Sequence, residues 1–86
     1  MEPILPPGGV VAYEPHALDR MVELGITRDD IRATLERPDH VRPARDRPPT
    51  DPCNIYLRSI GLRRCKVYVR IDSEPMMVAT VAWHGE

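Results

Sequence analysis

The sequence of 86 residues has few of the residues that build large cores and covalent cross-links. It contains no phenylalanine, one tryptophan and two cysteines. It also has no apolar run near the roughly 20 residues that a membrane-spanning helix needs. The first residues, MEPILPPGG, lack both the basic and the apolar segment of a signal peptide. We therefore expect a cytoplasmic protein without a membrane segment.

Side chains that ligate metals are few and scattered. Neither Cys53 nor Cys65 belongs to a CxxC pair, and His16, His40 and His84 lie far apart in the sequence. A zinc site would need ligands at a recognisable spacing. The sequence therefore predicts neither a metal nor a cofactor.

One domain accounts for the length and composition. Hydrophobic residues make up 42% of the chain, which is typical of a folded domain, and most of the ten prolines lie outside the periodic segments. We interpret residues 1–9 as a flexible leader and residues 10–86 as a single domain.

The charges are unevenly distributed along the chain, although the formal net charge is only −1. Residues 1–40 contain eight acidic and four basic side chains, whereas residues 41–86 contain five acidic and eight basic ones. A surface that binds phosphates is therefore expected in the C-terminal half.

The first predicted helix begins at Pro15, which suits the first helical position. Leu18, Met21 and Val22 then form an apolar stripe at helical spacing, which we expect to be buried. Gly25 ends the helix.

The second predicted helix has a well-defined start. Thr27 and Asp30 form a T-x-x-D variant of the capping box, while Ile26 and Ile31 occupy the two positions of a hydrophobic staple. The helix is expected to end at Arg37, because a proline follows.

Alternating or continuous apolar patterns indicate strands at residues 10–13, 54–61, 63–72 and 75–83. A shorter extended piece is expected near Val41. The last three strands form an antiparallel meander, and the helices must cover one face of it. The predicted fold class is therefore α+β, a two-helix hairpin packed on a small antiparallel sheet in the order β-α-α-β-β-β.

The register of this meander bears on the cysteines. If the turn centres on Gly61, Cys65 pairs with Arg58 and Cys53 pairs with Arg70. The two thiols are then several residues apart along the strands. We therefore expect no disulfide.

The second strand of the meander separates apolar from basic side chains. The alternate positions on its polar face carry basic or aromatic side chains, namely Arg64, Lys66, Tyr68 and Arg70. On the neighbouring strand, Tyr56 and Arg58 are expected to join this face. Such a mixture suits phosphates and stacked bases, although an ordinary solvated face contains the same residue types.

The end of the last strand offers Trp83 and His84. A lone tryptophan is more often a core anchor than a platform for base stacking. His84 either reaches the basic face or belongs to the chain end.

His16 and Arg20 lie one helical turn apart, so both side chains project from one side of the first helix. A neutral imidazole there could accept a proton while the guanidinium held an anion. In the alternative interpretation, Arg20 pairs with Glu23 on a solvated helix face.

The text ELGITRDDIRATL is similar to a helix-turn-helix motif. A recognition helix places its first turn against bases and phosphates. Asp29 and Asp30 would repel DNA from that turn, so an ordinary helical hairpin packed on a sheet is favoured.

The text HALDRMVELGITRDDIRATLERPD, with YVRID and MVATVAW, resembles a bacterial family of domains of unknown function over residues 10–84. The family pattern corresponds here to His16, Ala17, Arg20, Met21, Gly25 and Ile26. Leu24 stands where the family has an arginine, which puts one phosphate contact or ion pair in doubt. The family looks related to RelE, ParE and BrnT-like toxins, in which two helices pack on an antiparallel sheet.

This relation implies a toxin-like, metal-independent endoribonuclease whose basic and aromatic side chains act on an RNA phosphodiester. The catalytic residues that it implies are His16, Arg20, Lys66 and Tyr68. The RNA-binding residues that it implies are Tyr56, Arg58, Arg64, Arg70, Trp83 and His84. A single site requires His16 and Arg20 to lie within about 12 Å of Lys66, Tyr68 or Trp83.

Two other functions are compatible with the sequence. The domain could be a non-catalytic protein-binding module of a toxin–antitoxin or secretion-associated system, with an antitoxin-like partner. It could also be a DNA-binding regulator that uses the helical hairpin.

Overall fold

The computed structural model describes residues 11–71 and 76–85. Their helices and strands follow in the order β1 (Val11–Tyr13), α1 (Pro15–Leu24), α2 (Arg28–Glu36), β2 (His40–Pro43), β3 (Cys53–Ile60), β4 (Arg63–Arg70) and β5 (Met76–Trp83). The predicted leader lies outside the described residues. Neither helix in the described ranges is long and apolar enough to cross a lipid bilayer.

The strands of the described residues form one mixed sheet in the order β1-β5-β4-β3-β2. The fold class is α+β as predicted, and the short piece expected near Val41 does form, but the described sheet is mixed rather than antiparallel. The extended piece near Val41 is a full strand, β2, which pairs with β3. β1 is an edge strand and runs parallel to β5, which the long connection between the two strands permits.

The β3–β4 hairpin has the predicted register. Its two-residue turn begins at Gly61, whose positive φ of 62° suits glycine at this position. Cys65 pairs with Arg58, and Cys53 pairs with Arg70. Both cysteines are free and buried, and they belong to the cores of opposite sheet faces.

Both helices pack on one side of the sheet, which we call the helix face. Ile31 and Leu35 of α2 are completely buried there, as predicted. Of the predicted stripe on α1, Met21 is buried, but Val22 is 85% exposed and Leu18 is 38% exposed, and Ala17 takes their place in the core. Ala17 and Met21 lie four residues apart and set the buried side of α1, so Leu18 and Val22, the next residue after each, point away from it.

The predicted start of α2 is confirmed. Thr27 Oγ1 accepts a hydrogen bond from the Asp30 backbone N–H at 3.1 Å, and Asp30 Oδ2 accepts one from the Thr27 N–H at 3.0 Å. Ile26 and Ile31 are both buried in the helix-face core. The helix ends at Glu36, with Arg37 as its C-terminal cap.

The other side of the sheet, the second face, has a smaller apolar core. Its buried members are Cys53, Ile55, Leu57, Tyr68 and Ala79, and Ala44 packs against them. Ala44 begins the loop 44–52 between β2 and β3, which covers part of this face. The sheet is thus apolar at its centre on both faces.

Candidate functional site

The sheet separates the predicted catalytic residues into two groups. His16 and Arg20 belong to α1, whose inner side packs on the helix face. Lys66 and Tyr68 project from β4 on the second face, where Tyr68 belongs to the smaller core. The single site that would join all four residues is therefore not formed.

The α1 pair has the arrangement of the alternative interpretation. Arg20 Nη1 lies 3.2 Å from Glu23 Oε2, one turn further along the helix. His16 is exposed at the start of the helix. The guanidinium thus already has an anionic partner within its own helix.

Two residues assigned to the basic face lie on the helix face instead. Tyr56 pairs with Val67 and belongs to the helix-face core, where burial raises the pKa of its phenol. Arg58 Nη1 donates a 2.7 Å hydrogen bond to the Arg37 carbonyl at the end of α2. The prediction was wrong because Tyr56 and Arg58 occupy the β3 positions that point toward the helices.

Trp83 is a core anchor. Its Nε1 donates a 3.0 Å hydrogen bond to the Leu24 carbonyl at the end of α1. The Arg63 guanidinium carbon lies over the indole, 4.2 Å from the ring centre. His84 follows β5 as an exposed residue, and its backbone N–H donates to the Arg64 carbonyl at 2.8 Å. Trp83 is therefore not placed to stack on bases at the second face.

Arg70 lies on the predicted face, but acidic side chains surround it. Its Nη1 is 3.0 Å from Glu14 Oε1, and its Nε is 3.3 Å from Asp51 Oδ1. These ion pairs offset the charge that the sequence pattern assigned to an anionic ligand. Arg70 thus connects β4 to the residue before α1 and to the loop 44–52.

Tyr68 is a buried hydrogen-bond donor. Its hydroxyl donates to Asp46 Oδ2 at 2.8 Å. Burial, then the hydrogen bond and the charge of Asp46, raise the pKa of Tyr68 to about 12, although nearby Arg42 opposes the shift. Such a phenol keeps its proton at neutral pH.

The second face contains two basic residues that sequence reasoning missed, His40 and Arg42. His40 and Lys66 lie on either side of Leu57 in one row across β2, β3 and β4, while Arg42 and Tyr68 lie on either side of Ile55 in the next row. Strand spacing puts the members of a row roughly 10 Å apart and the two rows roughly 7 Å apart. The alternation in HVR could have revealed this face once β2 was recognised as a strand.

We call His40, Arg42, Arg64 and Lys66 the basic cluster. Within residues 11–71 and 76–85, no carboxylate forms an ion pair with any of the four. The Lys66 ammonium lies 5.5 Å from the centre of the Tyr68 ring. The cluster therefore places basic side chains around an apolar floor, with the Asp39 carboxylate close enough to Arg64 to interact electrostatically and the Asp46 carboxylate bonded to Tyr68.

Chemically, such a cluster is suited to phosphate groups. Guanidinium and ammonium groups donate to phosphate oxygens, and a histidine beside them can transfer a proton. Three or more metal-ligating side chains do not come together anywhere in the described part of the chain.

The fold and the site define an α+β domain with two helices on one face of a mixed sheet and a basic cluster on the other. Residues 13–83 match the family DUF4258, described as a domain of unknown function, and the chain belongs to this family. Neither the curated proteins nor the solved structures include a significant match to the chain.

Proposed function

We propose that this domain binds single-stranded RNA on the second face of its sheet and cleaves it without a metal. The observation that carries the proposal is the basic cluster. Its His40, Arg42 and Lys66 side chains border the buried apolar floor of the second face, and no carboxylate of the described residues forms an ion pair with them. The resemblance to RelE, ParE and BrnT-like toxins points to the same chemistry. The site differs from the sequence-based hypothesis because His16 and Arg20 are replaced by His40 and Arg42.

The roles follow from the chemistry of the side chains. Arg42 and Lys66 hold the scissile phosphate and offset the negative charge that develops in its transition state. His40 takes the proton from the ribose 2′-hydroxyl, which then attacks the phosphorus and displaces the 5′-oxygen. Solvent protonates that oxygen, since the cluster lies at the surface. Tyr68 holds Asp46 and the loop rather than the reacting atoms.

The binding experiment measures the anisotropy of a fluorescein-labelled 12-nucleotide RNA at 50 and 200 mM salt. The double variant Arg42→Gln/Lys66→Gln should bind at least ten-fold more weakly than the wild type. The slope of log K against log salt should fall by about 1.4, because each phosphate contact on a single strand contributes about 0.7. Arg20→Gln/Arg32→Gln is the matched control, since it removes the same charge from the helix layer.

The cleavage experiment incubates the same RNA with the protein in EDTA and separates the products on a gel. His40→Ala should bind RNA normally but lose cleavage, whereas His16→Ala should retain both. An oligonucleotide of the same length with deoxyribose at every position should bind but stay intact, because it lacks the attacking 2′-hydroxyl. Equal losses in the two double variants would refute the proposed surface, and cleavage that survives His40→Ala would refute the proposed base.

A protein-binding module is the second candidate, and one observation favours it. Val22 is 85% exposed and Leu18 is 38% exposed on the same side of α1. Exposed aliphatic side chains at this spacing suit a partner helix or strand. If the wild-type domain fails to bind RNA at 50 mM salt, this candidate replaces the nuclease.

The regulator alternative has less support. The first turn of α2 contains Asp29 and Asp30, and the Asp30 carboxylate accepts a hydrogen bond from the Thr27 N–H in the capping box. Since the apolar side of α2 is buried against the sheet, only its polar side could enter a DNA groove. The negative charges of the first turn would then repel the DNA phosphates.

A further inference from the structure

The loop 44–52 bends back over the second face from a closed base. The Ala44 backbone N–H donates to the Cys53 carbonyl at 2.9 Å, which continues the β2–β3 pairing. Within the loop, the Asp51 N–H donates to the Pro48 carbonyl at 2.9 Å and forms a turn. The loop therefore leaves β2, reaches toward β4 and returns to β3.

Two carboxylates of this loop reach donors on β4. Asp46 Oδ2 accepts the hydrogen bond from the Tyr68 hydroxyl at 2.8 Å. Asp51 Oδ1 lies 3.3 Å from Arg70 Nε. Tyr68 and Arg70 are the next two outward positions after Lys66 on the same strand.

The position of these donors matters for a bound strand. Lys66, Tyr68 and Arg70 form one line along β4, with about 7 Å between neighbours. A phosphate chain that begins at Lys66 and follows β4 would meet Tyr68 and Arg70 next. Loop carboxylates already lie at both places, so the loop's anions occupy the continuation of the basic cluster.

Some buried polar atoms of the loop lack a good hydrogen bond. Arg47 also forms an ion pair with Asp51 Oδ2. Among the described residues, Arg47 Nε is buried without a hydrogen-bond partner, whereas Asp51 Oδ1 lacks a well-aligned hydrogen bond but keeps its ion pair with Arg70. Buried polar atoms without partners destabilise the conformation that contains them. The closed loop is therefore held less firmly than its ion pairs alone would indicate.

We propose that the loop 44–52 is an internal competitor for RNA, in which Asp46 and Asp51 occupy the places of two RNA phosphates. This inference rests on the proposed RNA-binding function. When RNA extends along β4, the loop carboxylates leave and the phosphates accept from the Tyr68 hydroxyl and Arg70 Nε, while Arg70 Nη1 keeps its ion pair with Glu14. The loop thereby limits the affinity of the site and selects strands long enough to reach beyond Lys66.

The test compares the RNA affinity of wild type with that of Asp46→Asn in the same anisotropy assay at 100 mM salt. The amide can still accept the Tyr68 hydrogen bond but no longer carries a charge. Asp29→Asn is the matched control, because it changes the net charge equally on α2. Asp46→Asn should bind at least five-fold more tightly than wild type, and Asp29→Asn less than two-fold.

RNA length provides a second measurement. The gain from Asp46→Asn should appear with a 12-nucleotide RNA and vanish with a dinucleotide, which cannot extend from Lys66 to Tyr68 and Arg70. Asp51→Asn is the second variant if Asp46→Asn lowers the melting temperature by more than about 10 °C.

The outcomes separate the two proposals. If wild type binds RNA and Asp46→Asn gains no more than Asp29→Asn, the competitor is refuted while the RNA-binding function stands. If Asp46→Asn binds RNA at 100 mM salt and wild type binds only at 50 mM salt, both proposals are supported, because the loop then weakens the site without abolishing binding. If neither protein binds, both proposals fail.

Discussion

Replacing Tyr68 with phenylalanine should change how the stability of the domain depends on alkaline pH. The Tyr68 pKa is raised from its ordinary value of 10 to about 12, mainly by burial and then by Asp46. The unfolded chain therefore loses this proton first, and its loss favours unfolding. The resulting stabilisation is fully present below pH 10 and disappears as the pH rises through 12. Two pKa units correspond to about 2.7 kcal/mol, of which about 1.4 kcal/mol is lost by pH 11.

The assay is urea unfolding, followed by circular dichroism at pH 8 and pH 11, for wild type and Tyr68→Phe. The wild type should lose about 1.4 kcal/mol more than the variant between these pH values. Tyr56→Phe is the matched control. Burial alone raises the pKa of Tyr56, and none of the described carboxylates accepts a hydrogen bond from its hydroxyl. If Tyr68→Phe and wild type lose the same stability, the buried hydrogen bond to Asp46 is not as described.

Two further predictions concern stability and redox state. Thr27→Ala removes one bond of the capping box and should destabilise the domain by about 1 kcal/mol, a fall in melting temperature of roughly 5 °C; Asp29→Ala, in the same first turn but outside the box, should cost less. Both Cys53 and Cys65 should react with a thiol reagent in denaturant without reductant, because their register separates them; the absence of reaction would indicate a disulfide.

The local signals of the sequence predicted the local structure well. The start of α2 follows from the spacing of Thr27 and Asp30, and each contact of that capping box joins residues three positions apart. The hairpin register follows from Gly61, because a two-residue turn fixes every pair beyond it. Such features depend on neighbours in the sequence, so a single sequence contains the information for them.

The errors concern contacts between distant segments. Directly paired residues point to the same side of a sheet, so the predicted pairing of Arg58 with Cys65 already placed Arg58 and Tyr56 on the helix face, and assigning them to the basic face overlooked that register. A tyrosine and an arginine suit either face, since one packs its ring in the core and the other caps a helix end. The hydrophobicity of single residues was misleading on α1, because Val22 is more hydrophobic than Ala17, yet Ala17 is buried and Val22 is exposed.

Part of the candidate site could be predicted from the sequence, and the part that was missed again depends on contacts between distant segments. Lys66 and Tyr68 were assigned to one face by alternation alone. His40 and Arg42 come from a strand of four residues within a proline-rich segment, where the pattern is too short to stand out. The carboxylate that binds Tyr68 comes from a loop 22 positions away, and no periodicity indicates such a contact.

The two faces of the sheet have separable roles. The helix face contains most of the buried aliphatic side chains and the contacts that close both helices, including the Trp83 bond to Leu24. The basic cluster contributes little to this core, because His40, Arg42 and Arg64 are exposed. Substitutions in the cluster should therefore alter binding without unfolding the domain, since exposed positions away from special contacts usually change stability by less than about 0.5 kcal/mol. A loss of RNA affinity in Arg42→Gln/Lys66→Gln, at unchanged melting temperature, would thus report on the ligand rather than on the fold.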